Sequence, residues 1–512
     1  MVRWQHETDL DLLRQAGELL ERENARLVQK VLDLTQQLLR AQGKDKEELQ
    51  LRLAQLEADL AQQRKKLFGD SSEKRPRERA AKERPKQPGH GPRPQPALPI
   101  EEVEHTLSPD EAGRCSLCKD PLATWAGQFE TGDEVDVVTR HFVIKRHKRQ
   151  KYRCPCGSSV LAAPGPEKLA DGARYSLAFV AEVVVGKYLD HLPLERMVRI
   201  FGREGLVIDS QTLWDQCNAA ATLLAPAYAR LRDWVLSFSV VGADETWWRL
   251  MSTKTSGGST KRWYVWALGV DKGVYYRLFD DRSKGAARQL LDGYVGTVMC
   301  DGYSSYEALA KGGGPFVLAH CWAHVRRKFV ECEAAFPRAA EALCSIGTLY
   351  ALERLCERGP AGDDGRAVVR DVGSRAVVDE LRAWALATYA KTLPEGALGK
   401  AIAYMTGMWS GLVRFLDDPR IPIDNNHLER SLRGPVVGRK NHYGSRSQRG
   451  TEVAALLYSL VETAKLCGVD PKRYLMTALR CARRSEPIPL PHELRPDDPP
   501  TGPPAEPTAV PA

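Results

Sequence analysis

Residues 236–250, LSFSVVGADETWWRL, form a β-rich run that ends in two adjacent acids, Asp244 and Glu245. KRWYVWALGV and GVYYRLFDDR follow as two more strands, with DKG at 271–273 as the turn between them, so the three read as antiparallel neighbours. SKGAARQLLDGY then reads as a helix, VGTVMCDGYSSYEAL as a strand ending at Asp301, and PFVLAHCWAHVRRKFVEC as a strand running into a basic helix. Three strands, a helix, a strand and a further strand–helix unit call for a mixed α/β sheet. That order places Asp244 and Asp301 at the ends of neighbouring strands.

Acids that share a cleft are costly unless a cation joins them. Two Mg²⁺ ions roughly 3.5–4 Å apart meet that need and suit in-line attack on a phosphodiester. One ion activates the attacking water or hydroxyl and the other steadies the leaving oxygen. Two aspartates do not usually hold both ions, so a third carboxylate is expected. DNNHLERSLR at 424–433 offers one. As a helix capped by Asp424, it sets Asn425, Glu429 and Arg433 on one face, with Leu428 and Leu432 on an adjacent stripe to anchor it. Glu429 then projects into the cleft. The other reading is a solvated helix whose Glu and Arg pair only with each other.

At 512 residues the chain is long enough for roughly three domains. Its 43% hydrophobic and 27% charged residues are ordinary for a protein with packed cores. The net charge of +8 is mild, but it is clustered, and clustered positive charge suits a polyanion partner. No apolar run reaches membrane-spanning length, and MVRWQHETDLDLLRQ has no apolar core for a signal peptide, so the twelve cysteines are expected in a reducing cytosol. There, close Cys pairs suggest metal rather than disulfides. CSLC supplies Cys115 and Cys118, and CPCG supplies Cys154 and Cys156, a set suited to one structural tetrahedral Zn²⁺. Cys156 stands closer to Cys154 than a CxxC spacing requires, and four unrelated thiols are the alternative.

Leu13, Leu20, Leu27 and Leu34 recur every seven residues, with Leu10, Gly17, Asn24, Val31 and Leu38 in the companion series. This reads as a self-associating coiled coil whose Asn favours a parallel pair, or as one amphipathic helix packed on its own protein. Residues 64–99 are dense in Lys, Arg and Pro and read as a basic disordered linker. LPLERMVRIFGREGLVIDSQTLWDQC reads as helix, Gly-containing turn, and a second helix capped by Asp209 or Ser210. A helix-turn-helix that enters a DNA groove and a plain helical hairpin both fit it.

Taken together, the N-terminal zipper-like helix, CSLC…CPCG, YLDHLPLERMVRIFGREGLVIDSQTLWDQ, ADETWWR, CDGYSSYEAL, AHCWAHVRRKF, IDNNHLERSLR…GRKNHYGS and YSLVETAKLCGVDPKRYL resemble, in order, the bacterial DDE transposases of the insertion-sequence sixty-six family. The resemblance implies a multidomain α/β protein with a ribonuclease-H-like core and Asp244, Asp301 and Glu429 as the Mg²⁺-binding catalytic triad, Mn²⁺ being able to substitute. It implies hydrolysis at the ends of a mobile element, then attack of the freed 3′-OH on target DNA. About 128 residues separate Asp301 from Glu429, so a helical insertion is expected near 333–415.

The expected layout is a coiled coil at 1–67, a linker at 68–100, a zinc-binding domain at 101–165 and a helix-turn-helix region at 166–235. A catalytic domain at 236–450, a C-terminal helical region at 451–485 and a disordered Pro-rich tail at 486–512 follow. Arg326, Arg327, Lys328, Arg430, Arg433, Arg439 and Lys440 are expected to meet DNA phosphates, with His442 beside them. Glu245 should face away from Asp244, Asp280 and Asp281 are competing acids at a strand end, and His320, Cys321 and His324 read as structural residues before metal ligands. The implied partners are element-end and target DNA, further copies of the chain through the coiled coil, and the small accessory proteins commonly encoded beside family members. No membrane is expected, and the setting is the nucleoid in a bacterial cytoplasm. A catalytically inactive DNA-binding regulator and a nuclease that cuts without joining are the alternatives; all three acids are present, which a decayed copy would often lack.

Overall fold

The computed structural model describes residues 117–119, 142–153, 160–254, 260–356 and 362–496. The heptad segment, the basic linker, Cys115, Cys154 and Cys156 lie outside them. Cys118 is exposed with a free thiol. Strands β1 (Lys151–Arg153) and β2 (Val160–Ala162) pair antiparallel, so CPCG falls in the connection between two paired strands.

Helix α1 (Leu177–Tyr188) starts at Ser176, whose hydroxyl accepts from Phe179 N at 3.2 Å. After α2 (Leu194–Arg203) and a turn comes α3 (Ser210–Leu236), capped by Asp209, which accepts from Thr212 N at 2.6 Å. Two helices joined by a turn are therefore present, the second with the Asp209 cap that the sequence offers. Its second helix runs for 27 residues, and Leu213, Cys217, Leu224, Leu231 and Val235 along one side are buried. That ridge shares a single core with the sheet that follows, so residues 177–236 are built into the same body as the strands and do not stand apart.

The sheet comprises β3 (Val240–Lys254), β4 (Thr260–Val270), β5 (Gly273–Phe279), β6 (Gly296–Cys300) and β7 (Phe316–His320) in the order β5-β4-β3-β6-β7. β3, β4 and β5 are antiparallel, whereas β6 lies parallel to β3 and β7 parallel to β6. Helix α4 (Lys284–Leu290) connects β5 to β6, α5 (Ser304–Lys311) connects β6 to β7, and α6 (Trp322–Glu333) leaves β7.

Where a helical insertion is expected, the chain forms α7 (Ala339–Glu353), α8 (Asp363–Val369), a π-helical turn at Arg370–Ser374, α9 (Arg375–Tyr389), α10 (Ala397–Gly407) and the single turn α11 (Trp409–Leu412). This stretch has its own apolar core, which Phe329 of α6 shares with Ile346, Leu381, Ile402 and Met405. Arg370, 1% exposed, closes it: Nε and Nη2 meet Glu353 at 2.7 and 2.8 Å, and Nη1 donates to the carbonyls of Phe415 and Asp418. A buried guanidinium is tolerable only when paired and hydrogen-bonded in this way.

The chain then returns to the sheet with α12 (Asn426–His442), α13 (Gln448–Leu466) and α14 (Pro471–Arg483). Helix α13 covers edge strand β5, accepting Tyr276 N at Ser459 Oγ (2.8 Å) and Val274 N at Thr463 Oγ1 (3.1 Å). Side-chain hydroxyls thus occupy edge amides that could otherwise recruit another strand.

The segment after Glu486 departs from the expected tail. Ile488 and Leu490 are buried, Arg230 donates to Ile488 O and pairs with Glu493 at 2.6 Å, and His492 stacks on Trp234 at 4.0 Å. Proline density alone suggested disorder, yet apolar residues between the prolines find a groove on α3. Deleting residues 486–512 removes two buried side chains worth about 1.5–3 kcal/mol each. Thermal unfolding should show a Tm lower by roughly 5 °C or more; an unchanged Tm would mean the packing contributes nothing.

Candidate active site

Asp244 sits on β3 in the middle of the sheet, opposite Ala267 of β4. On its other side β3 pairs with β6 only as far as Gly242, which faces Met299. Asp244 and Asp301 are each two residues beyond that last pair and so leave the sheet side by side. β3 does not stop at Asp244 as the sequence suggested. It continues as an arm with β4, because Trp248 and Leu250 are buried while Trp247 and Arg249 alternate outward. Asp301 follows β6 directly: its carboxylate accepts from Tyr303 N at 3.0 Å, and its carbonyl accepts from Tyr404 of the insertion at 2.8 Å.

Glu429 arrives on α12. The helix begins two residues later than Asp424 and runs on through GRKNH. Asp424 instead accepts from Asn426 N and Nδ2, while Asn425 turns its amide into the sheet and donates from Nδ2 to Ala243 O at 3.0 Å. This approach needs two glycines that face each other on β3 and β4, Gly242 and Gly269. A Cβ at Gly242 would collide with Asn425 Oδ1, and one at Gly269 with Leu428. The missing side chains let the helix lie flat on the sheet, with Glu429 one residue beyond Leu428.

Electrostatics records the result. The Asp244 carboxyl is pushed up from 3.8 to about 8, first by burial, then by the charges of Glu245, Asp301 and Glu429, against the pull of the Glu245 amide. Glu429 Oε1 is buried without a hydrogen-bond partner. The Glu245 carboxylate pairs with Arg282 and accepts from Tyr306 OH at 3.3 Å, and it is also the first charge acting on Asp244. Asp281 serves a turn, accepting from Ser283 N. Three half-buried carboxylates, one of them pushed toward its neutral form and one with an orphaned oxygen, fit hard divalent cations with oxygen ligands.

The basic residues divide. Arg327 and Lys328 are exposed on α6, Arg430, Arg433 and Lys440 are exposed on α12, and Arg326 is half-buried. Arg327 Nη2 also lies 3.9 Å from Glu429 Oε2. Arg439 does not fit the phosphate-contact expectation. It is buried, stacked on Trp247 at 3.8 Å and bonded to Thr246 Oγ1 and the Trp247 carbonyl, so it holds the β3 arm to α12. His442 is likewise turned inward, against Gly444 O and Tyr458.

The profile described as "Transposase IS66 family" matches residues 172–453, which span the helix–turn–helix pair, the sheet, the insertion and α12. The chain belongs to the IS66 family of transposases. Two proteins of Sinorhizobium fredii (strain NBRC 101917 / NGR234) are similar over much of its length. The uncharacterized protein y4jD is 35% identical over 72% of this chain and 74% of its own. The uncharacterized protein y4qI is 30% identical over 78% and 76%.

In this IS66-family transposase, sequence reasoning missed how close Cys321 and His324 come to Glu429. His324 Nε2 lies 3.6 Å from Glu429 Oε1, and the three residues present one ligand atom each within 4.8 Å of one another. The available signal was the one-turn spacing of Cys321 and His324 at the head of α6. His320 does not join them; it packs beside the Cys300 thiol. Among the described residues no helix is long and apolar enough to cross a membrane.

Gly269→Val should push α12 off the sheet at a cost of about 1–3 kcal/mol. It should lower Tm and abolish divalent-cation protection against unfolding together; retained protection would refute the docking argument. In metal-free protein the neutral Asp244 carboxyl favours the folded state, so its contribution is full below about pH 4 and lost as pH rises toward about 8. Wild type should therefore lose more stability than Asp244→Asn between about pH 5 and about pH 8 in chelator. Equal slopes in thermal melts would show that Asp244 titrates normally.

Proposed function

We propose that this transposase cuts DNA at the ends of an insertion sequence and joins the freed 3′-OH to target DNA, using Asp244, Asp301 and Glu429 to hold two divalent cations. The observation that carries the reading is the convergence of these three carboxylates from β3, the end of β6 and α12, with the Asp244 carboxyl pushed up to about 8 by burial, then by Glu245, and then by Asp301 and Glu429. The strand order, with three antiparallel strands followed by two parallel ones, supports a ribonuclease-H-like core.

Bound Mg²⁺ or Mn²⁺ would supply Lewis-acid activation of the attacking oxygen and charge stabilisation at the leaving one. The chain's own residues do the rest. Asp244 gives up its proton when the cations bind, which ties affinity to pH. Tyr303 N orients the Asp301 carboxylate, and Tyr404 steadies its backbone from the insertion. Asn425 and Leu428 keep α12, and with it Glu429, against the sheet. Arg327, Lys328, Arg430, Arg433 and Lys440 are placed to take DNA phosphates along α6 and α12 and to set the strand in register. Cys115, Cys118, Cys154 and Cys156 would hold a structural Zn²⁺, a reading supported by the paired strands that flank CPCG. The N-terminal heptads would bring copies together on two element ends.

The test is nicking and strand transfer on labelled DNA carrying the element's ends, with Mg²⁺. Asp301→Asn and Glu429→Gln should each bind this DNA like wild type and nick it at least ~100-fold more slowly. Wild-type nicking by Glu429→Gln would remove Glu429 from the triad. Cleavage by wild type without joined product would identify a nuclease.

A further inference from the structure

Beside the triad lie two further ligands, Cys321 and His324, that the cutting reaction does not use, and they share Glu429 with it. Cys321 and His324 stand at the head of α6, where β7 ends, and Glu429 faces them from α12, more than a hundred residues later. One ligand atom from each lies within 4.8 Å of the others. The 3.6 Å between His324 Nε2 and Glu429 Oε1 is too long for a hydrogen bond. It is close to the roughly 3.3–3.7 Å that separates two donors on one tetrahedral ion with bonds of about 2.0–2.3 Å. Glu429 Oε1 is buried without a hydrogen-bond partner, a state expected of an atom that awaits a ligand.

The donor set differs from the triad in chemistry. A thiolate, an imidazole and one carboxylate oxygen select a borderline-soft ion such as Zn²⁺ and discriminate against Mg²⁺, which prefers oxygen alone. The backbone already shapes the pocket: Asn425 N donates to Cys321 Sγ at 3.3 Å, and Trp322 N donates to Ile423 O at 3.1 Å, so the loop before α12 is clamped to the head of α6. Arg327 stands at the other Glu429 oxygen, which limits the carboxylate to one oxygen on this side.

We propose that Cys321, His324 and Glu429 form a site for Zn²⁺, and that its occupancy draws Glu429 away from the catalytic cations and so holds the transposase inactive. The inhibitory half rests on the catalytic reading of Glu429, whereas the ligand set does not. With three protein ligands the fourth position is open to water, so the ion can enter and leave.

Cobalt(II) reads the site directly, because a coordinated thiolate gives it a charge-transfer absorption. Full-length wild type, Cys321→Ser and His324→Ala would be stripped of metal and titrated with Co²⁺, each checked for folding by its thermal melt. Any cysteine site in the N-terminal region is common to all three and cancels. Wild type should take up one equivalent more than either variant, with the matching absorption. Equal uptake by wild type and a folded variant overturns the site. Mg²⁺-supported nicking would then be titrated with Zn²⁺: Cys321→Ser should tolerate at least ten times the Zn²⁺ that halves the wild-type rate. Equal sensitivity overturns the inhibitory role. If Glu429→Gln nicks like wild type, the triad reading fails and the inhibitory role with it, while the cobalt difference still decides the ligand set.

Discussion

The site depends on how closely α12 can approach the sheet. Stacked sheets sit about 10 Å apart because side chains fill the gap, and side chains hold a helix off a sheet in the same way. Here Gly242 and Gly269, paired across β3 and β4, leave a bare patch of backbone, and Asn425 and Leu428 fill it. The amide of Asn425 reaches the Ala243 carbonyl next to Asp244. One residue past Leu428, the Glu429 carboxylate is delivered to acids that the sheet has already set side by side.

That delivery works against the carboxylates' own repulsion. Burial and mutual charge push Asp244 toward the neutral form, and nothing in the described fold neutralises all three acids. Arg282 pairs with Glu245, and Arg327 reaches Glu429 only at 3.9 Å. Packing elsewhere, through the shared core of α3, α13 and the sheet, holds the cluster together against that repulsion. Perturbed groups of this kind mark functional sites because a structure with no use for them would relax them away.

The insertion is more than a spacer between the second and third acids. Its core is closed by Arg370 and Glu353, and from that base Tyr404 reaches back to the Asp301 carbonyl. The same polypeptide that separates Asp301 from Glu429 in sequence also buttresses one of them. It returns the chain through Ile423, whose carbonyl accepts from Trp322 N, so α6 and α12 start from one clamped point. Cys321 and His324 face Glu429 for that reason.

Local patterning determined the elements. β-rich runs marked the strands, Asp209 announced its helix, and the acids of ADETWW, CDGYSS and HLERSLR were visible because side-chain chemistry is local. Strand order was legible from the succession of strands and helices, and the length between acids disclosed an insertion. What only the tertiary structure decided were the distances between segments far apart in the chain. No local rule shows that Gly242 and Gly269 would pair beneath Leu428, that Arg439 would turn inward under Trp247, or that Ile488 and Leu490 would dock on α3 despite the prolines around them. Nor does spacing reveal that Glu429 faces Cys321 and His324. Each of these depends on packing between segments, where a Cβ present or absent shifts a helix by more than a hydrogen bond can follow.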